Sequence, residues 1–211
     1  MEEGLNDMSL LREYISMILA EAALGPNDLP DGHRVVVKNT PRKKIELQIV
    51  DENDRSIGEL RAYKNLTRGN CHNAYFVGWA SASGGWGPML YDIAMEIATE
   101  DGSSLMADRS DVSPEALRVW DFYLSDRSDV EAIQLDDLND LLTDEEKDNC
   151  EQESFDEKLW DDFPSLINQT KELRNKIRKN KFLDSSLTKT YRKKNRVVLD
   201  TLEKMQAVEY T

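Results

Sequence analysis

Three apolar runs of strand length lie between residues 33 and 63: HRVVVK (His33–Lys38), KIELQIV (Lys44–Val50) and IGELRAY (Ile57–Tyr63). The middle run sets Ile45, Leu47 and Ile49 against Glu46 and Gln48, the period of a strand with one buried face. Asp51-Glu52-Asn53-Asp54 is a polar hairpin loop, so the three runs predict an antiparallel meander. Tyr75, Phe76, Val77 and Trp79 predict a fourth strand. Ser83, Gly84, Gly85 and Gly87 then allow a tight turn, and Pro88 suits the first turn of a helix, where its missing N–H is no loss. Met89, Leu90, Ile93, Ala94 and Ile97 follow on one helical face. Ser104–Asp108 (SLMAD) reads as a short buried strand. Ser113-Pro114-Glu115 starts a helix that runs to about Ser125, with Ala116, Trp120, Tyr123 and Leu124 along one side. Val130–Leu135 predicts one more strand.

The flanks read differently. Leu10–Leu24 (LLREYISMILAEAAL) predicts an amphipathic helix capped by Ser9 and stopped at Gly25-Pro26, with Leu11, Ile15, Ile18, Leu19 and Ala22 as its stripe. It either packs on the body of the chain or docks into a larger assembly. Residues 131–162 hold 14 acids against Lys147 and Lys158, the composition of a solvated segment, with Trp160, Phe163 and Leu166 available to pin it back. Asn168–Lys181 is basic, LTKTYRKK follows within Ser185–Lys194, and Arg196–Tyr210 predicts a terminal helix. The pattern divides the chain into an N-terminal helix (1–30), a core (33–142), an acidic segment (143–167) and a basic helical tail (168–211). The tail is expected to be separable, so that a chain ending near Leu142 still unfolds cooperatively.

Charge narrows the function classes. The net charge is −14, and residues 168–211 carry 12 Lys and Arg against 5 Asp and Glu, leaving 15 against 36 elsewhere. An acidic body argues against general nucleic-acid binding and favours cationic partners. The basic tail either neutralises the acidic segment or binds an anionic partner. Cys71 and Cys150 form no disulfide framework and no metal-ligand spacing, so no metal is expected. With no long apolar run and no signal peptide, a cytoplasmic protein outside the membrane is the expectation. Cys71-His72 is adjacent in sequence, which on a strand points the two side chains apart and argues against a thiol dyad.

A glycine turn feeding a helix aims backbone N–H groups and the positive end of the helix dipole at one point, which suits phosphate or pyrophosphate. Since Pro88 has no N–H, the donors would be Gly85, Trp86, Gly87 and Met89. A ligand-free strand-to-helix connection reads the same way, and both readings stand at this point.

The order of elements, with Gly85-Trp86-Gly87 after the fourth strand, resembles the GNAT superfamily of acyl-CoA-dependent N-acyltransferases over roughly residues 33–135. The resemblance implies an α/β (α+β) fold: a mixed, mostly antiparallel sheet flanked by helices, here with a charged helical C-terminal extension. It implies acetyl-CoA as acyl donor, with its pyrophosphate on the Gly-x-Gly turn and its pantetheine arm along the fourth strand at Phe76, Val77 and Gly78, where the fourth and fifth strands splay. Ala82 stands where the family has Arg or Gln. Ser113, Ala116, Val119 and Trp120 occupy the places of a family pattern whose last residue is often a thiolate-protonating tyrosine. Trp120 has no hydroxyl to donate, and Tyr123 is the nearest substitute. The stretch DRSDVSPEALRVWDFYLSDRSDV is similar to GNAT-like proteins of large-genome bacteriophages. LREYI resembles the N-termini of phage particle proteins, which adds the host cytoplasm or the virion as settings.

Acyl transfer to an amine needs a base for the acceptor, donors for the thioester oxygen and a proton for the leaving thiolate. Glu59 and Asp108 are the candidate bases and Tyr123 the candidate acid, with Arg109 and Arg118 offsetting the acidic surface for an anionic coenzyme. The acceptor would be an amine of a protein or a small molecule. The alternative is a GNAT-like fold kept as a binding or virion-associated module, assembling through the N-terminal helix or the basic tail.

Overall fold

Alternation along the first strands decides which face each residue takes. The computed structural model describes residues 23–41, 43–64, 69–109, 111–125, 127–138, 140–151 and 171–211. β1 (Arg34–Thr40), β2 (Lys44–Val50), β3 (Ser56–Lys64) and β4 (Tyr75–Ala82) pair antiparallel in sequence order. Val35, Val37, Ile45, Leu47, Ile49, Leu60 and Ala62 point to one face and are almost fully buried. α1 (Gly87–Glu100) covers that face and returns the chain to β5 (Leu105–Ala107), parallel to β4. α2 (Pro114–Ser125) follows, its first turn capped as expected by Ser113, whose hydroxyl accepts from the Ala116 N–H at 3.2 Å. β6 (Val130–Gln134) comes next, then a two-residue parallel pair, β7 (Asp136–Asp137) with β8 (Asn149–Cys150). α3 (Lys171–Asp184), β9 (Lys189–Lys193), α4 (Val198–Lys204) and β10 (Val208–Tyr210) complete the described chain.

The result is a mixed α/β fold with an 8-stranded, mostly antiparallel sheet in the order β10-β1-β2-β3-β4-β5-β9-β6. Two apolar clusters lie on its opposite faces. Tyr75, Val77, Leu105 and Ala107 join the larger one under α1. Their alternate neighbours Phe76 and Met106 join the smaller one with Cys71, Ala74, Leu135 and Cys150.

The separable basic tail does not survive this topology. β9 lies between β5 and β6 and is antiparallel to both, so residues 189–193 are interior to the sheet. Tyr191 is fully buried and stacks on Trp120 with ring centroids 5.2 Å apart. α4 buries Leu199 and Leu202, and Glu96 on α1 caps it, accepting from the N–H groups of Val197, Val198 and Leu199 at 2.8 Å each. The terminal helix expected over Arg196–Tyr210 stops early: Gln206 takes a positive φ, and Val208–Tyr210 pairs parallel to β1 instead. LTKTYRKK holds few apolar residues, so its burial as a strand was masked by lysine and arginine side chains that find partners there.

The pairing of the cysteines is a second correction. Cys71 and Cys150 are bonded, with Cα atoms 4.8 Å apart. Their separation of 79 residues carries no motif; the β7–β8 pair brings Cys150 to the turn before β4. That turn, Cys71–Asn73, is a distorted 3-10 turn rather than a strand. Most of the expected N-terminal helix, from Leu10 to Ala22, and Trp160, Phe163 and Leu166 lie outside the described residues, while Ala23 and Leu24 are not helical. No helix among the described residues is long and apolar enough to cross a membrane.

Candidate functional site

β4 runs straight into the glycine turn, and the turn opens α1. Gly84 and Gly85 have φ of 62° and 89°, in the region that a side chain disfavours, so these are the glycines the turn needs. Ser83 anchors it, donating its N–H and its hydroxyl to the Ile57 carbonyl on β3, both at 3.1 Å. Gly87 begins the helix without a positive φ, and no described residue lies within 4 Å of where a Cβ would stand at Gly84 or Gly87. Leu24 reaches the turn, donating its N–H to the Gly85 carbonyl at 3.1 Å. Among the described residues the approach to the helix N-terminus is otherwise open, and no side chain caps it. Gly87 and Met89 sit in the first helical turn, where N–H groups have no carbonyl one turn behind them. Of the expected donors, Trp86 is already used: its N–H donates to the Ser83 carbonyl at 3.4 Å. The side chains of Trp86 and Met89 are buried in the core, so only their backbone could meet a ligand.

Upstream, β4 loses its partner on one side. Pairing with β5 ends at Val77 with Ala107, while β4 continues along β3 to Ala82. The register against β3 slips between Arg61 and Ala62, which leaves Gly78 as the extra residue of a bulge. A Cβ there would come within 3.3 Å of the Tyr63 ring and 3.4 Å of Phe76. Among the described residues Gly78 through Ala82 are exposed and unpaired on that side, so their outward N–H and C=O groups form an open strand edge ending at the turn. Val77 itself is buried, and Phe76 is half-buried on the face away from α1, tilted against Tyr63.

The three expected catalytic side chains are not brought together. Glu59 stands opposite Ser81, near the turn but on the face away from α1. Its carboxylate accepts from the Trp79 indole at 2.7 Å and from Arg61 at 3.3 Å. Asp108 follows β5 by one residue, at the fork where β4 and β5 part, and is half-buried. Tyr123 is buried on the α1 side with its hydroxyl committed, donating to Asp92 Oδ1 at 2.9 Å. Burial first, and the Asp92 charge next, push its pKa well above the ordinary tyrosine value. A phenol so placed holds its proton and its position.

Arg109 and Arg118, expected beside an anionic coenzyme, are elsewhere engaged. Arg118 pairs with Glu115 on α2. Arg109 is buried at a small cavity on the face away from α1, and burial lowers its pKa to about 9. The polar centre that sequence reasoning missed lies under α1. There Asp92 and Asp129 share Arg127 and Lys193, with contacts of 2.6 to 3.0 Å. Arg127's hydrogen bonds, with Lys193 adding to them, hold the Asp129 carboxyl well below the usual range. The signal was present in YDIAMEIA, where Asp92 and Glu96 interrupt an apolar helix one turn apart. Acids within a buried stretch demand partners, although the sequence does not say which.

No protein family, curated protein or solved structure matches this chain.

Proposed function

We propose that this protein is a GNAT-like N-acyltransferase, moving an acetyl or other acyl group from coenzyme A to an amine. One observation carries the reading. The β4 edge left open past the Val77–Ala107 pair leads directly into the Gly84–Gly85 turn and the uncapped end of α1. Such a line offers backbone hydrogen bonds to an extended amide-bearing arm and, at its end, a seat for pyrophosphate. When bound, the coenzyme supplies the acyl group as an activated thioester. Gly85, Gly87 and Met89 would hold its phosphates through backbone N–H groups, and the edge at Gly78–Ala82 would hold the arm and supply hydrogen-bond donors for the thioester carbonyl. Glu59, opposite Ser81, or Asp108, at the fork, takes the proton the amine loses on acylation. The acidic surface draws a cationic acceptor, a lysine side chain or a polyamine.

Acetyl-CoA incubated with the protein and a panel of lysine peptides and polyamines tests this. A mass increase of one acetyl group on an acceptor, with release of one coenzyme thiol per acetyl transferred, supports it. Coenzyme binding without transfer to any acceptor supports a second reading, a non-catalytic binding or virion-associated module. Two observations favour that second reading. Tyr123, the substitute acid, has its hydroxyl bound to Asp92 in the core. The Cys71–Cys150 disulfide suits an oxidising setting such as a released particle better than a reducing cytoplasm.

A further inference from the structure

On the face of the sheet away from α1, the smaller apolar cluster is closed by a covalent bond. Cys71, in the turn that feeds β4, is joined to Cys150 in β8, and both are buried. The turn has a backbone that L-residues seldom adopt: Cys71, His72 and Asn73 have φ of 48°, 50° and 58° in succession. Three such residues in a row persist only where surrounding contacts over-determine them. Within the turn the Asn73 N–H donates to the Asn70 carbonyl at 2.7 Å, and the Ser103 hydroxyl donates to the Asn73 carbonyl at 2.5 Å; the β7–β8 segment holds the other side. The His72 N–H donates to the Lys147 carbonyl at 2.7 Å, Gly69 bridges to Cys150, and Leu135 and Cys150 pack on Ala74, Met106 and Phe76. Turn and segment therefore hold each other, and the disulfide is the one covalent link between them among the described residues. A cavity reaches this link, walled by both cysteines with Phe76, Met106 and the buried Arg109. Arg109 lines the cavity with both cysteines, its guanidinium donating to the Glu151 carbonyl at 3.4 Å, and a cation in the surroundings of a cysteine favours its thiolate.

We propose that Cys71–Cys150 is a redox-operated clamp on the start of β4, which fastens the β7–β8 segment over Phe76 and Met106 when oxidised and releases it when reduced by a dithiol. One thiolate of the dithiol attacks a cysteine sulfur; the S–S bond breaks and the other cysteine leaves as a thiolate that takes a proton. The second thiol of the reagent then displaces the first cysteine, so two electrons and two protons pass to the protein and the dithiol becomes a disulfide. Tyr75 lies two residues after the turn and pairs with Leu105. Relaxation of the turn therefore loosens the short β4–β5 ladder from which the open edge departs. This inference does not depend on the acyltransferase reading.

The test places the whole protein in graded dithiothreitol buffers without denaturant, alkylates with iodoacetamide and measures intact mass, with hydrogen exchange followed in parallel. The expected result is that two thiols appear together under native conditions. Exchange in peptides spanning residues 69–77 and 135–151 then rises at least tenfold, while β1, β2 and α1 stay protected. A Cys71→Ser, Cys150→Ser double variant should show the fast pattern with or without reductant. If it fails to fold, the titration of the wild type decides alone. Thiols that react only after denaturation, free thiols in the protein prepared without reductant, or reduction with unchanged exchange in both peptides would each overturn the clamp.

Discussion

Tyr123 lies on α2 with its ring in the core. Its spacing on α2 places it near the expected acid, yet the hydroxyl donates to Asp92 inside a centre shared with Arg127 and Lys193. Tyr123→Phe should cost about 1.5–3 kcal/mol, the range for a hydrogen bond to a charged group, read from denaturant midpoints, with coenzyme affinity unchanged. A variant of full stability with a tenfold slower turnover would return the hydroxyl to the chemistry. The same centre sets an acid limb. Asp129 has a lower pKa folded than the roughly 3.9 of an unfolded aspartate, so below that value the unfolded chain takes up more protons. Its contribution is complete above about pH 5 and fades as pH falls through 4 toward the folded value. Because its side chain is 38% exposed, solvent screening makes the effect modest. Asp129→Asn should flatten the fall of urea midpoints between about pH 4 and pH 2; an unchanged slope would mean that other carboxylates set the limb.

The elements from β1 to β6 were legible because alternation, a helical apolar stripe or a short apolar run marks each, with clean boundary residues; β5, buried on both faces, is of the last kind. Alternation gave β2, the Ser113 cap gave α2, and the glycines with Pro88 gave the turn into α1. The strand β9 was hidden because what buries it is not its own apolar content. Lys189 and Lys193 are almost fully buried, yet Lys193 is paired with Asp92 and Asp129 and Lys189 bonds Gln134 and the Leu183 carbonyl. Gln134, Asp92 and Asp129 lie tens of residues away in sequence, and such partners leave no local pattern. Glu96 is the element-scale counterpart, a carboxylate that serves as the N-terminal anchor of α4. Glu96→Gln leaves one oxygen for three N–H groups and should cost about 1–3 kcal/mol, with α4 amides the first to lose exchange protection. Uniform loss of protection across the sheet instead would mean that Glu96 supports the fold as a whole.

At the scale of the molecule, the position of β9 reverses an expectation of separability. A chain ending at Leu142 lacks the strand between β5 and β6, the ring of Tyr191 against Trp120, and α4 over the core. Such a chain should aggregate or show no cooperative unfolding transition by circular dichroism; a sharp transition would show that β5 and β6 can do without β9. Of the candidate site, the turn was legible as a turn, although the glycines it needs are Gly84 and Gly85 and Trp86 is no free donor; the open edge entered only through the family resemblance. That edge exists because β5 is short, and where two strands stop pairing is a property of the assembled sheet. The proposed acyltransferase requires this edge and turn to form one coenzyme site. Gly87 is the position that tests it, since its φ is ordinary and a Cβ there meets no described residue within 4 Å, so Gly87→Val should fold while crowding the open end of α1. Calorimetric titration of wild type and Gly87→Val with acetyl-CoA, each shown by circular dichroism to be folded, should give binding to the first and at least tenfold weaker binding to the second. Equal affinity in both, or no binding to the wild type, would contradict the account.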